Sequence, residues 1–185
     1  MLKEYYYYQD NLSSDRLRTR WLTEADVVPW AEFFKDPEAI ALFPTFGLNS
    51  IEERANHWIE RQLTRYREHR YGLQMLVHKE TGACIGQCGL MVQEVDGIRE
   101  LEVGYHIFKK YWGHGYAPEA ARLFLEFAFN HDLADSVISI IDIRNIKSMR
   151  VADKNGLRRE KQTRWLDLDV FIYRVTAKEF QANQK

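Results

Sequence analysis

Between residues 72 and 108 the chain reads as three strands joined by turns too short to carry a crossover, which sets an antiparallel meander inside the fold. The segments are GLQMLVH (72–78), ACIGQCGLMVQ (83–93) and RELEVGYHIF (99–108), separated by KETG (79–82) and by the Asp-Gly turn VDGI (95–98). In the third strand Leu101, Val103, Tyr105 and Ile107 alternate with Glu100, Glu102, Gly104 and His106, so one face is apolar and the other polar. A helix over about 117–130 follows, with Pro118 in its first turn and Ala120, Leu123, Phe124 and Phe127 on its inward side. It leads to SVISIIDI (136–143), apolar enough to be covered on both faces. A strand–helix–strand passage of this length makes 99–108 and 136–143 parallel neighbours.

The flanking segments complete a mixed α/β order. RLRTRWL (16–22) alternates, with Leu17, Thr19 and Trp21 on one face. Thr23 with Asp26 opens a helix that ends by Asp36-Pro37, and Ser50 with Glu53 opens another over 51–68. NIKSMRVADKNG (145–156) is a short helix stopped by Asn155-Gly156. RREKQTRW (158–165) and VFIYRVT (170–176) form a final hairpin across LDLD. The tyrosines at 5–8 read as a terminal arm resting on the surface, and 177–185 as a surface end. The reading is an arm at 1–13, one domain at 14–178 and a tail at 179–185.

Composition excludes several classes. Basic residues number 26 and acidic ones 27, a balance unlike that of a nucleic-acid binder. No apolar run reaches the ~18 residues of a membrane span, and the N-terminus lacks the apolar core of a signal peptide. Cys84 and Cys88 share a strand face and form no metal knuckle. The expectation is a cytoplasmic protein with no metal, nucleic-acid or membrane partner.

The chemistry concentrates at FKKYWGHGYAPEA (108–120). Gly113 and Gly115 lie between a strand and a helix, where consecutive backbone N–H groups and the helix dipole make an anion site. Lys109, Lys110 and His114 add positive charge. A G-x-G alone more often serves only the shape of a connection, and this one lacks both the G-K-[ST] of a Walker loop and a full G-x-G-x-x-G. Some thirty residues later, however, comes NIKSMRVADKNGL (145–157). With these two segments in order, the chain resembles the GCN5-related N-acetyltransferase (GNAT) superfamily over about 14–178. Its acetyl-CoA signature [R/Q]-x-x-G-x-[G/A] reads here Lys110-Tyr-Trp-Gly113-His-Gly115, with lysine at the lead position. The forms YWGHGYAPEA and N-x-x-S-x-x-V-x-x-K-x-G look like the branch that holds ribosomal-protein N-terminal acetyltransferases and spermidine or antibiotic acetyltransferases.

The resemblance implies a mixed, mostly antiparallel sheet of about seven strands flanked by about four helices, with 99–108 and 136–143 splayed to admit acetyl-CoA. Backbone groups of Ile107, Phe108 and Lys109 would hold the pantetheine and acetyl end, and those of Trp112, Gly113, His114, Gly115, Tyr116 and Ala117 the pyrophosphate. Asn145 would bond the pantetheine arm and Lys154 would lie near the phosphates; by position alone they read as a helix N-cap and a solvated cation. Amine acetylation needs a proton acceptor and support for the leaving thiolate. Glu102 is the candidate base, often acting through water in the family, with Glu100 second and His106 as an assistant; a polar strand face explains all three equally well. The family's usual acid, a tyrosine seven residues after the asparagine, is replaced by Ala152, and Ser148 takes the role of thiolate partner.

With no cysteine placed for a covalent intermediate, direct transfer in a ternary complex is expected. The acceptor would be a protein N-terminal α-amine or, second, a polyamine or aminoglycoside, with Phe43, Phe46, Trp58, Trp165 and the acidic pair Asp167/Asp169 as candidate walls for a cationic amine. A non-catalytic CoA-binding module and a nucleotide-binding domain are the competing classes. Oligomeric state stays open, a homodimer included.

Overall fold

The computed structural model describes residues 1–3, 8–43 and 46–183. Its first half contains β1 (Leu17–Arg20), α1 (Val27–Lys35), α2 (Pro37–Ile40), α3 (Ile51–Arg67), β2 (Leu73–His78), β3 (Cys84–Val95) and β4 (Ile98–Ile107). Its second half contains α4 (Tyr116–Asn130), β5 (Ser136–Asp142), α5 (Ile146–Lys154), β6 (Arg158–Trp165), β7 (Leu168–Thr176) and α6 (Ala177–Ala182). The strands form one seven-stranded sheet in the order β1-β2-β3-β4-β5-β7-β6. Every neighbouring pair is antiparallel except β4 and β5. This is the mixed α/β, mostly antiparallel arrangement expected from the short turns and the single helical crossover.

Both faces of the sheet are covered. The apolar side of β4 (Leu101, Val103, Ile107) packs with Leu90 and with Phe124 and Leu125 of α4. The opposite face carries Leu73, Met75 and Met91 against Trp30 and Phe33 of α1 and Trp58 and Ile59 of α3. The polar side of β4 therefore lies beneath helices rather than in water, and Glu102 is only 7% exposed.

One short helix adds to the expected order, and two expectations give way. The connection after Asp36 is the short helix α2, whose first N–H groups are accepted by the Asp36 side chain. Residues 177–182 are not a loose surface end: Thr176 and Glu179 close a capping box and Phe180 is buried against Phe129. Of the tyrosine run, Tyr5, Tyr6 and Tyr7 lie outside the described residues. Tyr8 is not on the surface; it sits among Trp21, Tyr71, Phe124 and Phe127, and its hydroxyl accepts from the Leu90 N–H at 2.9 Å. Burying the ring and engaging an inner β3 amide ties the arm to the sheet.

Candidate active site

β4 and β5 meet at one rung, Glu102 opposite Ile138. β4 follows β3 along its whole length, while β5 follows β7, so past that rung the two strands part. The splay leaves strand backbone without a ladder partner. Side chains from β4 close the gap. The Glu102 carboxylate accepts from Gln93 Nε2 at 2.8 Å and from the Ile140 backbone, two residues beyond the rung. Burial raises its pKa, and those two hydrogen bonds, with a weaker pull from Arg65, only partly offset the rise. From β4 too, the Tyr105 hydroxyl donates to the Ser148 carbonyl at 3.0 Å, tying α5 to β4. Burial pushes this phenol's pKa up, which keeps it protonated.

Beyond β4 the chain makes a 3-10 turn over Lys109–Tyr111 and then the glycine turn. Gly113 and Gly115 both have φ of +81°, the left-handed region that L side chains rarely enter. Gly115 is also the residue from which α4 starts. Among the described residues the N–H groups of Gly113, His114, Gly115, Tyr116 and Ala117 find no acceptor within the protein. The 3-10 turn engages other groups: Trp112 N–H donates to the Lys109 carbonyl, Phe108 N–H to that of Ile85, and the Trp112 indole to that of Ile107 at 2.8 Å. The open amides thus begin at Gly113. Ile107 and Phe108 are buried, and Lys110 and Lys154 are exposed. The Asn155 side chain donates to the Pro118 carbonyl at 3.2 Å, which sets the last turn of α5, and with it Lys154, beside the first turn of α4.

Two supports for this turn escaped sequence reading. Arg16, just before β1, donates from Nη1 to the His114 carbonyl at 2.9 Å and from Nε to Glu119 at 2.7 Å, and its guanidinium lies 4.5 Å from the Tyr116 ring centre. Glu119 resists this partial burial: bonds from the Arg16 N–H, the Ser14 hydroxyl and the Arg16 side chain hold its carboxyl below the usual range. The partners stand 103 residues apart, so no local pattern joins them. The second support is α2, whose Glu38 binds Lys109 at 3.1 Å and Lys147 of α5 at 2.5 Å. Lys147 also covers the Trp112 ring at 4.1 Å. Glu38 therefore bridges the end of β4 and the start of α5.

Asn145 caps α5 by accepting the Ser148 N–H at 3.0 Å, as a helix N-cap should. Asn145, Ser148, Tyr105, Glu102 and His106 all line one cavity of about 290 Å³. Phe43, Phe46, Trp58 and Trp165 wall it, from three separate parts of the chain. Pro44 and Thr45, in the loop expected to shape acceptor choice, lie outside the described residues. His106 contacts the rings of Phe33, Phe43 and Trp58, and burial lowers its pKa to about 4, so the ring is neutral. Three expected residues lie elsewhere. Asp167 and Asp169 are not in the lining, although Trp165, Leu166, Leu168 and Val170 around them are. Glu100 shares the strand face of Glu102 but lies outside the lining, in a pair with Arg174 at 2.7 Å. In their place the lining contains Arg61 and Arg65 of α3.

A strand splayed from its parallel neighbour, followed by a cradle of open amides at a helix start, makes a slot that ends in an anion site. A family model described as "Acetyltransferase (GNAT) domain" matches residues 16–158, and the chain belongs to that family. The protein YkkB of Bacillus subtilis (strain 168) is 30% identical over 165 residues, covering 88% of this chain and 93% of YkkB. The crystal structure of the acetyltransferase from Agrobacterium tumefaciens (strain C58) superposes with a TM-score of 0.76 at 25% identity, covering 94% of this chain and 98% of that one. RimL, a ribosomal L7/L12 alpha-N-protein acetyltransferase solved with coenzyme A, shares the fold with a TM-score of 0.72 at 14% identity, covering 91% and 98%. The chain is an acetyltransferase of the GNAT type.

Proposed function

We propose that the chain transfers an acetyl group directly from acetyl-CoA to a primary amine, with a protein N-terminal α-amine as the favoured acceptor. One observation carries this reading: five consecutive residues from Gly113 to Ala117 hold their N–H groups open at the mouth of a strand pair joined by a single rung. Such amides, at the positive end of α4, suit a pyrophosphate. RimL, which shares the fold, was solved with coenzyme A and is a ribosomal L7/L12 alpha-N-protein acetyltransferase. The thioester supplies the activated acyl group; the chain's own residues orient it and manage protons.

Glu102 is the proton acceptor. An α-amine with a pKa near ~8 needs only mild help, and a carboxyl raised by burial is closer to that value than an exposed one. Ser148 supports the departing thiolate, with the protonated Tyr105 held against the same turn of α5. Asn145 fixes that turn. Lys154 and Lys110 add charge beside the cradle. A small-molecule amine is the second reading, supported by a cavity of about 290 Å³, at the lower end of small-ligand sites. The test follows thiol release from acetyl-CoA across a panel of N-terminal peptides and small amines. Turnover of at least one acceptor, lost when acetyl-CoA is replaced by CoA, is expected. Acetyl-CoA binding without turnover on any amine would overturn the reading.

A further inference from the structure

The cavity wall contributed by α3 does not match the electrostatics of a site for polycationic amines. Arg61 and Arg65, four residues apart and so on one side of the helix, both line the cavity. They also line a wider groove of about 780 Å³ along the outer side of α3, so they stand in the wall between the two spaces. Among the described residues neither has a carboxylate partner. Arg61 stacks its guanidinium 4.6 Å from the Phe46 ring centre. Arg65 holds its Nη1 buried with no hydrogen-bond partner. Its pKa falls to about 10, chiefly through burial and secondarily through Arg61, and Glu102 is the chief nearby charge that favours its ionised form. The carboxylates that could neutralise the pair are engaged elsewhere: Glu102 with Gln93 and the Ile140 backbone, Asp142 with Arg144 at 2.8 Å. A part-buried guanidinium whose inner nitrogen has no partner is costly unless a ligand supplies one, and the planar fork of arginine fits a bidentate oxyanion.

We propose that the acceptor carries an oxyanion group, a carboxylate or a phosphate, beside its amine, and that Arg65 with Arg61 receives that group while the amine faces Glu102. This rests on the acetyl-transfer reading of the cavity. It narrows the acceptor class to amino acids, aminophosphonates and N-termini with an acidic residue nearby. It turns away polyamines and aminoglycosides, whose extra cations would face two guanidinium groups.

The experiment uses acceptors that differ in charge, with each KM referred to the free-amine form because a neighbouring anion also raises the amine pKa: alanine, alaninamide and 1-aminoethylphosphonate, then the dipeptide amides Ala-Asp and Ala-Asn, which move the charge one residue from the amine. Rates are read by thiol release and binding by calorimetry, for the unaltered protein and for Arg65→Met and Arg65→Lys. At least one anionic member is expected to show a KM about 10-fold or more below its neutral partner, since a charged hydrogen bond of ordinary strength corresponds to roughly 10–100-fold. Arg65→Met should erase that gap, whatever common change it causes through Glu102, and Arg65→Lys should keep part of it. The alanine and phosphonate arms tell carboxylate from phosphate. Equal KM for charged and neutral members in both sets overturns the proposal, and so does an Arg65→Met loss shared equally by all acceptors, which would mark a structural residue or one acting only on Glu102. The acid–amide comparison on the unaltered protein decides the matter even if a variant does not fold. Arg65-dependent binding of the anionic members without any thiol release would sink acetyl transfer and leave the oxyanion site standing; release from neutral amines alone would do the reverse.

Discussion

The two arms of the splay are built from different material. The arm that runs from β4 into α4 presents backbone: Gly113 to Ala117 offer five open N–H groups, and side chains such as Arg16 only brace them. The arm beneath α1 and α3 presents side chains, with Phe43, Trp58, Arg65, His106 and Trp165 converging from distant parts of the sequence. A backbone site asks only for a local conformation, so it can stay the same while acceptors change. A side-chain site can be altered residue by residue. Within one fold, the first suits a constant donor and the second a variable acceptor.

The largest effect expected is on the side-chain arm. Glu102→Gln should lower kcat about 100-fold or more, the range of a general base, while acetyl-CoA affinity stays within about twofold. Its pH behaviour checks the assignment. Burial holds this carboxyl above its ordinary value, so the native state favours the protonated form and loses stability as pH rises from the ordinary carboxylate range through the raised value. Above that window the glutamine variant should be at least as stable as the parent in thermal melts, and below it the difference should vanish. The ascending acid limb of kcat/KM should disappear with the carboxylate. An unchanged pH–rate profile would remove Glu102 from the chemistry.

A smaller effect should appear on the backbone arm and sharpen the contrast. Around Gly113 a Cβ would meet nothing within 4 Å, so Gly113→Ala adds little but left-handed strain, roughly 1–2 kcal/mol. Acetyl-CoA KM should rise about 10-fold with the acceptor KM untouched. A change confined to the acceptor KM would break the division of labour. The smallest effect belongs to Arg16→Met, which removes a part-exposed brace: a rise of about 2- to 5-fold in acetyl-CoA KM is expected, given the modest worth of such pairs. If that variant matched the parent, the cradle would hold its shape by backbone preference alone.

How far the sequence could be read follows the same division. Strands, hairpin turns and the capping boxes at Thr23 and Ser50 are local signals and predict the observed elements. Both glycines of the turn have the positive φ that only their spacing could announce. At α2 the local signals conflict, because Asp36-Pro37 serves equally as the stop of one helix and the cap of the next. At α6 the signal is present, since Thr176 and Glu179 have capping-box spacing, but near a chain end that spacing alone does not tell a docked helix from a surface one. The acceptor wall was less legible. Its aromatics are recognisable as candidates, but proximity in sequence groups Asp167 and Asp169 with Trp165, whereas the arginines that do share the site come from a helix about a hundred residues earlier. No period or motif encodes a meeting of that kind.

Tyr8 gives the N-terminal segment a structural duty. It is the lone described residue of its tyrosine run, and it inserts a ring between sheet and helix while accepting an inner-strand amide proton. The family match begins at residue 16, so a version trimmed to that match would leave an aromatic-sized hole under α4 and an orphaned Leu90 amide. Tyr8 is better regarded as a plug for the hydrophobic interior than as a surface residue that can be removed without cost.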